Sequence, residues 1–307
     1  MKSTVAPSMT VKVWAMLILL SILWGGSFFF VGVVVNELQP LTIVTLRVGI
    51  AAIVLWCIAF IMGLQPPKSL KVWRAFLGMG VLNNVFPFIL IVWGQTQIAS
   101  GLASILNAAT PIFTVAVAGL LLADERPTPL KLLGVMLGFC GVVVMIGLPA
   151  LEGGGNLIAQ LAIVAATLSY AFAGVYGRRF KALGVNPVIT AAGQVTASTF
   201  VLLPLTLWVE GDIDLKAISM TTWLAIIGLA VASTAIAYVL FFKILELAGA
   251  TNTSLVTLLV PVSAIFLGAF FLDEVLEPMH FVGMLLIAIG FSAIDGRLWK
   301  RVQTHLF

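Results

Sequence analysis

The chain has 307 residues, of which 61% are hydrophobic and 9% charged, with a net charge of +4. A soluble domain carries roughly 25% charged residues, so a water-soluble enzyme or binding domain is excluded. The longest polar segment, 210–219, leaves no room for one.

Charge is absent from 13–35, 48–67, 75–123, 132–151, 153–177, 182–209, 217–242 and 247–272, and from the shorter run 278–294. A membrane-crossing helix needs about 20 apolar residues. The run 75–123 must hold two, divided at Gly94-Gln95-Thr96-Gln97. The pattern predicts ten spans, near 12–34, 41–62, 72–93, 98–122, 129–148, 157–177, 187–209, 219–242, 250–271 and 278–295. The first is longer than a signal core and ends in no small-x-small site, so it reads as a retained span.

Span one carries Trp24, a candidate cavity wall. Span two holds Arg47, the one basic residue clearly inside a span, about 9 Å from its outer end at ~1.5 Å per residue. A charge there costs at least about 2.5–3.5 kcal/mol, which marks a functional candidate. Its planar fork suits a substrate carboxylate; the alternative is a side chain that snorkels outward or binds helix ends. Span three has Asn83-Asn84 at mid-membrane, able to bond a substrate or to glue helices. Adjacent helical residues point about 100° apart, so only one of the pair need face a cavity. Pro87, Pro111 and Pro261, in spans three, four and nine, each remove a backbone bond and kink the helix. They read as gate hinges or as plain structural kinks. Gly134, Gly138 and Gly141 in span five, with Gly283 and Gly290 in span ten, permit close helix approach and read as a scaffold joining two halves. Tyr170 in span six and Tyr238 in span eight offer amphipathic rings, and Gln194 lies in span seven. Ser233-Thr234 in span eight reads as packing polarity.

The second half repeats the first at an offset of about 150 residues: Asn83-Asn84 matches Ser233-Thr234, Pro111 matches Pro261, Asp124-Glu125 matches Asp273-Glu274, and Arg47 matches Gln194. Five spans per repeat is an odd number, so the copies must be inverted, with a substrate site between them near the midplane. The expected architecture is an all-α integral membrane protein: ten transmembrane helices as two inverted five-helix repeats, 1–150 and 151–307, around a central cavity. Lys and Arg fall fourteen to one on the termini and even-numbered connections. The positive-inside rule therefore puts both termini in the cytoplasm. The odd-numbered connections carry Glu37, Glu152, Glu210, Asp212, Asp214, Asp273, Glu274 and Glu277. Because the basic residues follow topology, the net charge is no nucleic-acid footprint.

Leu23-Trp24-Gly25-Gly26-Ser27-Phe28, Leu46-Arg47, and Ala99-Ser100-Gly101 running through Pro111 to Asp124-Glu125, echoed by Ala248-Gly249-Ala250 through Pro261 to Asp273-Glu274, resemble the EamA-type family of the drug/metabolite transporter superfamily. The resemblance implies a ten-helix exporter of small metabolites in a bacterial inner membrane. It is similar to amino-acid exporters, including the YddG branch for aromatic amino acids.

Absences narrow the chemistry. Arg47 is too little charge for a phosphate substrate. No carboxylate lies deep in a span to carry a coupled proton, His280 and His305 sit apart and make no metal site, and there is no Walker loop. The expectation is a transporter, not an enzyme, with no cofactor, working by uniport or exchange. Its partners are a small-molecule substrate and lipid, and no oligomer is indicated. The expected cargo is an apolar or aromatic amino acid, bound by Trp24, Arg47, Asn83, Asn84, Tyr170, Gln194 and Tyr238. The rival cargo is another amphipathic metabolite or a drug, with proton coupling.

Overall fold

The computed structural model describes residues 10–122, 128–151, 156–212, 214–253 and 256–295. Among them the ordered elements are helices. In order these are α1 (Val11–Val34), α2 (Pro40–Ile61), α3 (Leu70–Gln95), α4 (Ser100–Leu121), α5 (Pro129–Leu151), α6 (Leu157–Ala182) and α7 (Pro187–Val209). α8 opens at Met220–Ile227, passes through Gly228–Ile236 and continues as Ala237–Thr253; α9 (Val256–Phe271) and α10 (Pro278–Asp295) follow. Among the described residues seven apolar stretches are long enough to cross a membrane: α1 to α4, α6, α7 and Met220–Ile244 of α8. α5, α9 and α10 hold shorter ones, Leu132–Val144, Leu259–Phe271 and Pro278–Gly290, where spans five, nine and ten are expected.

Local chemistry sets the ends. Proline opens α2 and α7, where its missing N–H is no loss. Thr10, Asn186 and Ser219 cap α1, α7 and α8 by accepting from Val13, Val188 and Thr222. α2 and α6 stop at Gly63 and Gly184, both left-handed, with the paired backbone bonds of a glycine C-cap. One boundary differs from the sequence reading. The expected connection at 243–249 is helical, because it contains helix formers and no proline before Gly249. Asp124-Glu125 lies outside the described residues.

The packing pairs respect the repeat. α2 lies on α7 and α5 on α10; α1 on α9 is matched by α6 on α4, and α3 on α6 by α8 on α1. The α5–α10 contact is backbone against backbone: a Cβ at Gly290 would stand 2.5 Å from the Gly134 carbonyl oxygen, and one at Gly141 2.7 Å from that of Gly283. Large apolar side chains point outward along the helices, including Phe200, Phe266 and Phe270, each at least 73% exposed. Exposed apolar surface on this scale belongs against lipid. The connections bearing Glu37, Glu210 and Glu274 come together on one face, termed here the acidic face.

Candidate functional site

Two helices are locally rewound at matching places. α3 forms a π-helical turn at Val81–Val85 and α8 forms one at Gly228–Ile236, so Asn83-Asn84 and Ser233-Thr234 both sit inside π segments. Such turns leave backbone groups off the regular ladder and are frequent at functional sites. Side-chain hydroxyls serve the displaced carbonyls: Ser169 donates to Leu82 at 2.7 Å, and Thr234 to Leu229 at 2.8 Å.

Arg47 is buried at 7% exposure and turns inward rather than snorkelling. Its Nε donates to Thr234 Oγ1 at 3.0 Å, and the guanidinium lies 3.7 Å from the Phe88 ring centroid. Because the Thr234 hydroxyl proton is directed at Leu229, its oxygen is free to accept from Arg47. Among the described residues no carboxylate acts on the guanidinium.

Beside it runs a chain of neutral polar groups. Asn83 donates to Gln194 Oε1 and to the Tyr238 hydroxyl, both at 3.2 Å. Tyr238 donates to Asn84 Oδ1 at 3.0 Å, and Asn84 donates to Ser198 at 3.1 Å. Gly80 admits this contact: a Cβ there would meet Ser198 Oγ and the Gln194 carbonyl at 2.7 Å. Both asparagines therefore converge on one tyrosine hydroxyl. The two long side chains reach the same hydroxyl from adjacent positions of the π turn.

Arg47, Asn83, Asn84, Tyr170, Gln194 and Tyr238 thus occupy one central region, where α2, α3, α6, α7 and α8 meet. Tyr170 packs against both of the larger core clusters. Trp24 stands outside the polar chain, 5.5 Å from Phe241 in the core cluster that includes α1 and α8. Pro87 follows the π turn of α3, and Pro111 follows a break in α4 between Asn107 and Thr110; Pro261 lies within α9. In this conformation the polar side chains of the central region are bonded to one another. Grooves of about 400 and 360 Å³ lie between α2 and α7 and among α4, α9 and α10, with almost wholly apolar walls.

Sequence reasoning missed Phe88 and Ser198 and read Thr234 as packing polarity. Ser198 had a signal: it lies four residues after Gln194, on the same helical face. Ser233 and Thr234 part company. Thr234 holds Arg47, whereas the buried Ser233 hydroxyl, turned toward Gly26, finds no partner among the described residues.

The Tyr238 hydroxyl is the hub of this chain, and Tyr238→Phe strands Asn84 Oδ1. Intramembrane hydrogen bonds average about 0.6 kcal/mol and a buried unpaired acceptor costs about 1–3. Thermal unfolding of the purified variant should show a loss of about 1 kcal/mol; an unchanged melt would mean the hydroxyl is dispensable.

The EamA-like transporter family model matches this chain twice, over residues 12–147 and 157–294. The chain is 24% identical to the uncharacterized transporter YoaV of Bacillus subtilis (strain 168), across 91% of this chain and 95% of that protein. It is 26% identical to a probable amino-acid metabolite efflux pump of Escherichia coli (strain K12), across 92% and 95%. A solved crystal structure has the same fold, with a TM-score of 0.67 at 18% identity over 94% of this chain and 99% of that one. Two matched segments that take in most of the chain, together with its apolar helices, settle the class: it belongs to the EamA-like transporter family and is a multi-pass membrane transporter, not an enzyme.

Proposed function

We propose that this transporter exports small zwitterions, chiefly amino acids with apolar or aromatic side chains, from the cytoplasm across a bacterial inner membrane. In this reading the chain forms ten spans, as inverted halves 1–150 and 151–307, with both termini cytoplasmic. The halves alternate access to the central polar region, by uniport or exchange.

The observation that carries the reading is Arg47: a buried cation with no carboxylate beside it among the described residues. A carboxylate on the cargo supplies the missing counter-charge through the guanidinium fork. Asn83, Asn84 and Gln194 offer carbonyl oxygens to an ammonium, and their present mutual bonds are the ones a cargo exchanges for its own. Phe88, Tyr170, Tyr238 and Trp24 supply apolar and aromatic surface. The 26% identical relative named as a probable amino-acid metabolite efflux pump supports the same cargo class.

Counterflow of labelled phenylalanine into liposomes that hold the purified protein and unlabelled phenylalanine tests this. A saturable overshoot is expected, inhibited more by zwitterionic amino acids than by an uncharged aromatic amide. Absence of overshoot with phenylalanine, threonine and methionine would remove the amino-acid assignment.

A further inference from the structure

Three carboxylates on the acidic face each reach across the repeat boundary to the start of a helix in the other half. Glu210, at the end of α7, accepts from the Leu41 and Thr42 amides and the Thr42 hydroxyl of α2, at 2.8, 2.7 and 2.7 Å. Glu37, after α1, accepts from the Ser219 amide and hydroxyl at 2.6 and 2.7 Å, and from the Thr222 hydroxyl, at the start of α8. Glu274, after α9, accepts from the Ser100 and Gly101 amides of α4 at 2.7 and 3.0 Å. The first amides of a helix have no partner within it, and the positive end of the helix dipole attracts an anion.

The seats are built for these side chains. Asp273 adopts a left-handed backbone, φ 52°, a conformation that Asp tolerates better than most residues. The turn sends Glu274 back over α9, where its amide bonds to the Gly268 carbonyl. A Cβ at Gly268 would lie 2.3 Å from Glu274 Oε2, so glycine leaves the room the carboxylate occupies. The Glu37 carboxyl is held below the usual carboxylate range, first by the Thr222 hydroxyl and then by the Ser219 amide. It is therefore ionised, and accepting, at neutral pH. Asp214, by contrast, accepts from the Lys216 amide of its own turn.

We infer that Glu37, Glu210 and Glu274 form a three-point latch that holds the acidic face shut between the two repeats, and that this face opens only when all three leave their helix ends. The latch lies directly over the site. Thr42 is five residues, about 7.5 Å along α2, from Arg47, and α8, gripped by Glu37, carries the Thr234 that Arg47 bonds. Each grip is at the water boundary, where water can replace a carboxylate on an amide. The contacts are therefore reversible, as a gate requires, and opening the gate frees the cap amides of α2, α4 and α8 together.

The latch rests on the alternating-access reading but not on the identity of the cargo. The test uses full-length protein in lipid nanodiscs with Cys57 and Cys140 replaced by alanine. A reporter cysteine replaces Thr45, which is buried one turn below Thr42 and bonded to Thr206. Labelling by a charged, membrane-impermeant thiol reagent should speed up about tenfold in E37A/E210A/E274A, with an intermediate rise in the triple Glu→Gln protein, whose amides still offer one acceptor oxygen each. Deuterium exchange at the Leu41, Thr42, Ser100 and Ser219 amides should rise in parallel. If the alanine protein fails to fold, the glutamine protein decides. An unchanged labelling rate in a folded variant overturns the latch, even if phenylalanine counterflow succeeds. Faster labelling alongside failed counterflow keeps the latch and removes only the cargo.

Discussion

Arg47→Met should cut transport about 10- to 100-fold and leave thermal stability unchanged or higher. The two effects have different physical sources. Hydrogen bonds to a charged group are worth about 1.5–3 kcal/mol, and each 1.4 kcal/mol is tenfold in affinity. An intramembrane charge without a counter-ion costs at least about 2.5–3.5 kcal/mol, which the uncharged methionine does not incur. Its structural return is a bond to Thr234 and a contact with the Phe88 ring. Arg47→Lys keeps the charge but loses the fork, so it should retain only part of the activity. Counterflow and a melting curve on the same preparation read both quantities. If stability and transport fall together, Arg47 is a structural strut and not a cargo ligand. Added cargo should also raise the melting temperature of the wild type and not of the methionine variant.

Gly290→Ala should be strongly damaging for a single methyl group, because its clash is with backbone. The new Cβ would meet the Gly134 carbonyl oxygen at 2.5 Å and the Gly138 nitrogen at 2.8 Å. Both atoms are backbone, so no rotamer change relieves the clash and the helices must separate. Overpacking costs about 1–3 kcal/mol where side chains can adjust; here the loss should reach the upper end of that range. Gly26→Ala is the control: its Cβ would find nothing nearer than 3.8 Å, and its melt should barely move. Equal destabilisation by the two substitutions would remove the special standing of the α5–α10 contact.

Much of this was legible from residue order because membrane physics acts locally. Uncharged runs marked the helices, since charge in hydrocarbon is costly whatever the fold. The glycines of spans five and ten marked a close contact, and α5 and α10 do meet there. Arg47 drew attention by its cost alone. What could not be read depends on partners far away in the chain. The π turns are supported by groups such as Ser169, 87 residues from the carbonyl it serves. Nor does residue order show that Asn83 and Asn84 both meet Tyr238, 155 and 154 residues away. Thr234 looked like packing until Arg47, 187 residues distant, was seen to bond it. The grips of Glu37, Glu210 and Glu274 were not legible because their amide partners lie 168 to 182 residues away.

The glycine contact has a mechanical consequence. Side chains are compliant: they change rotamer and let neighbouring helices slide. Where α5 and α10 touch through Gly134, Gly138, Gly141, Gly283 and Gly290 there is little side chain to yield, and a gap of about 0.5–1 Å forfeits a quarter to a half of the dispersion attraction. That line of contact neither stretches nor compresses cheaply. Any motion of one repeat against the other must swing about it as a fulcrum, with the largest travel at the helices farthest from it.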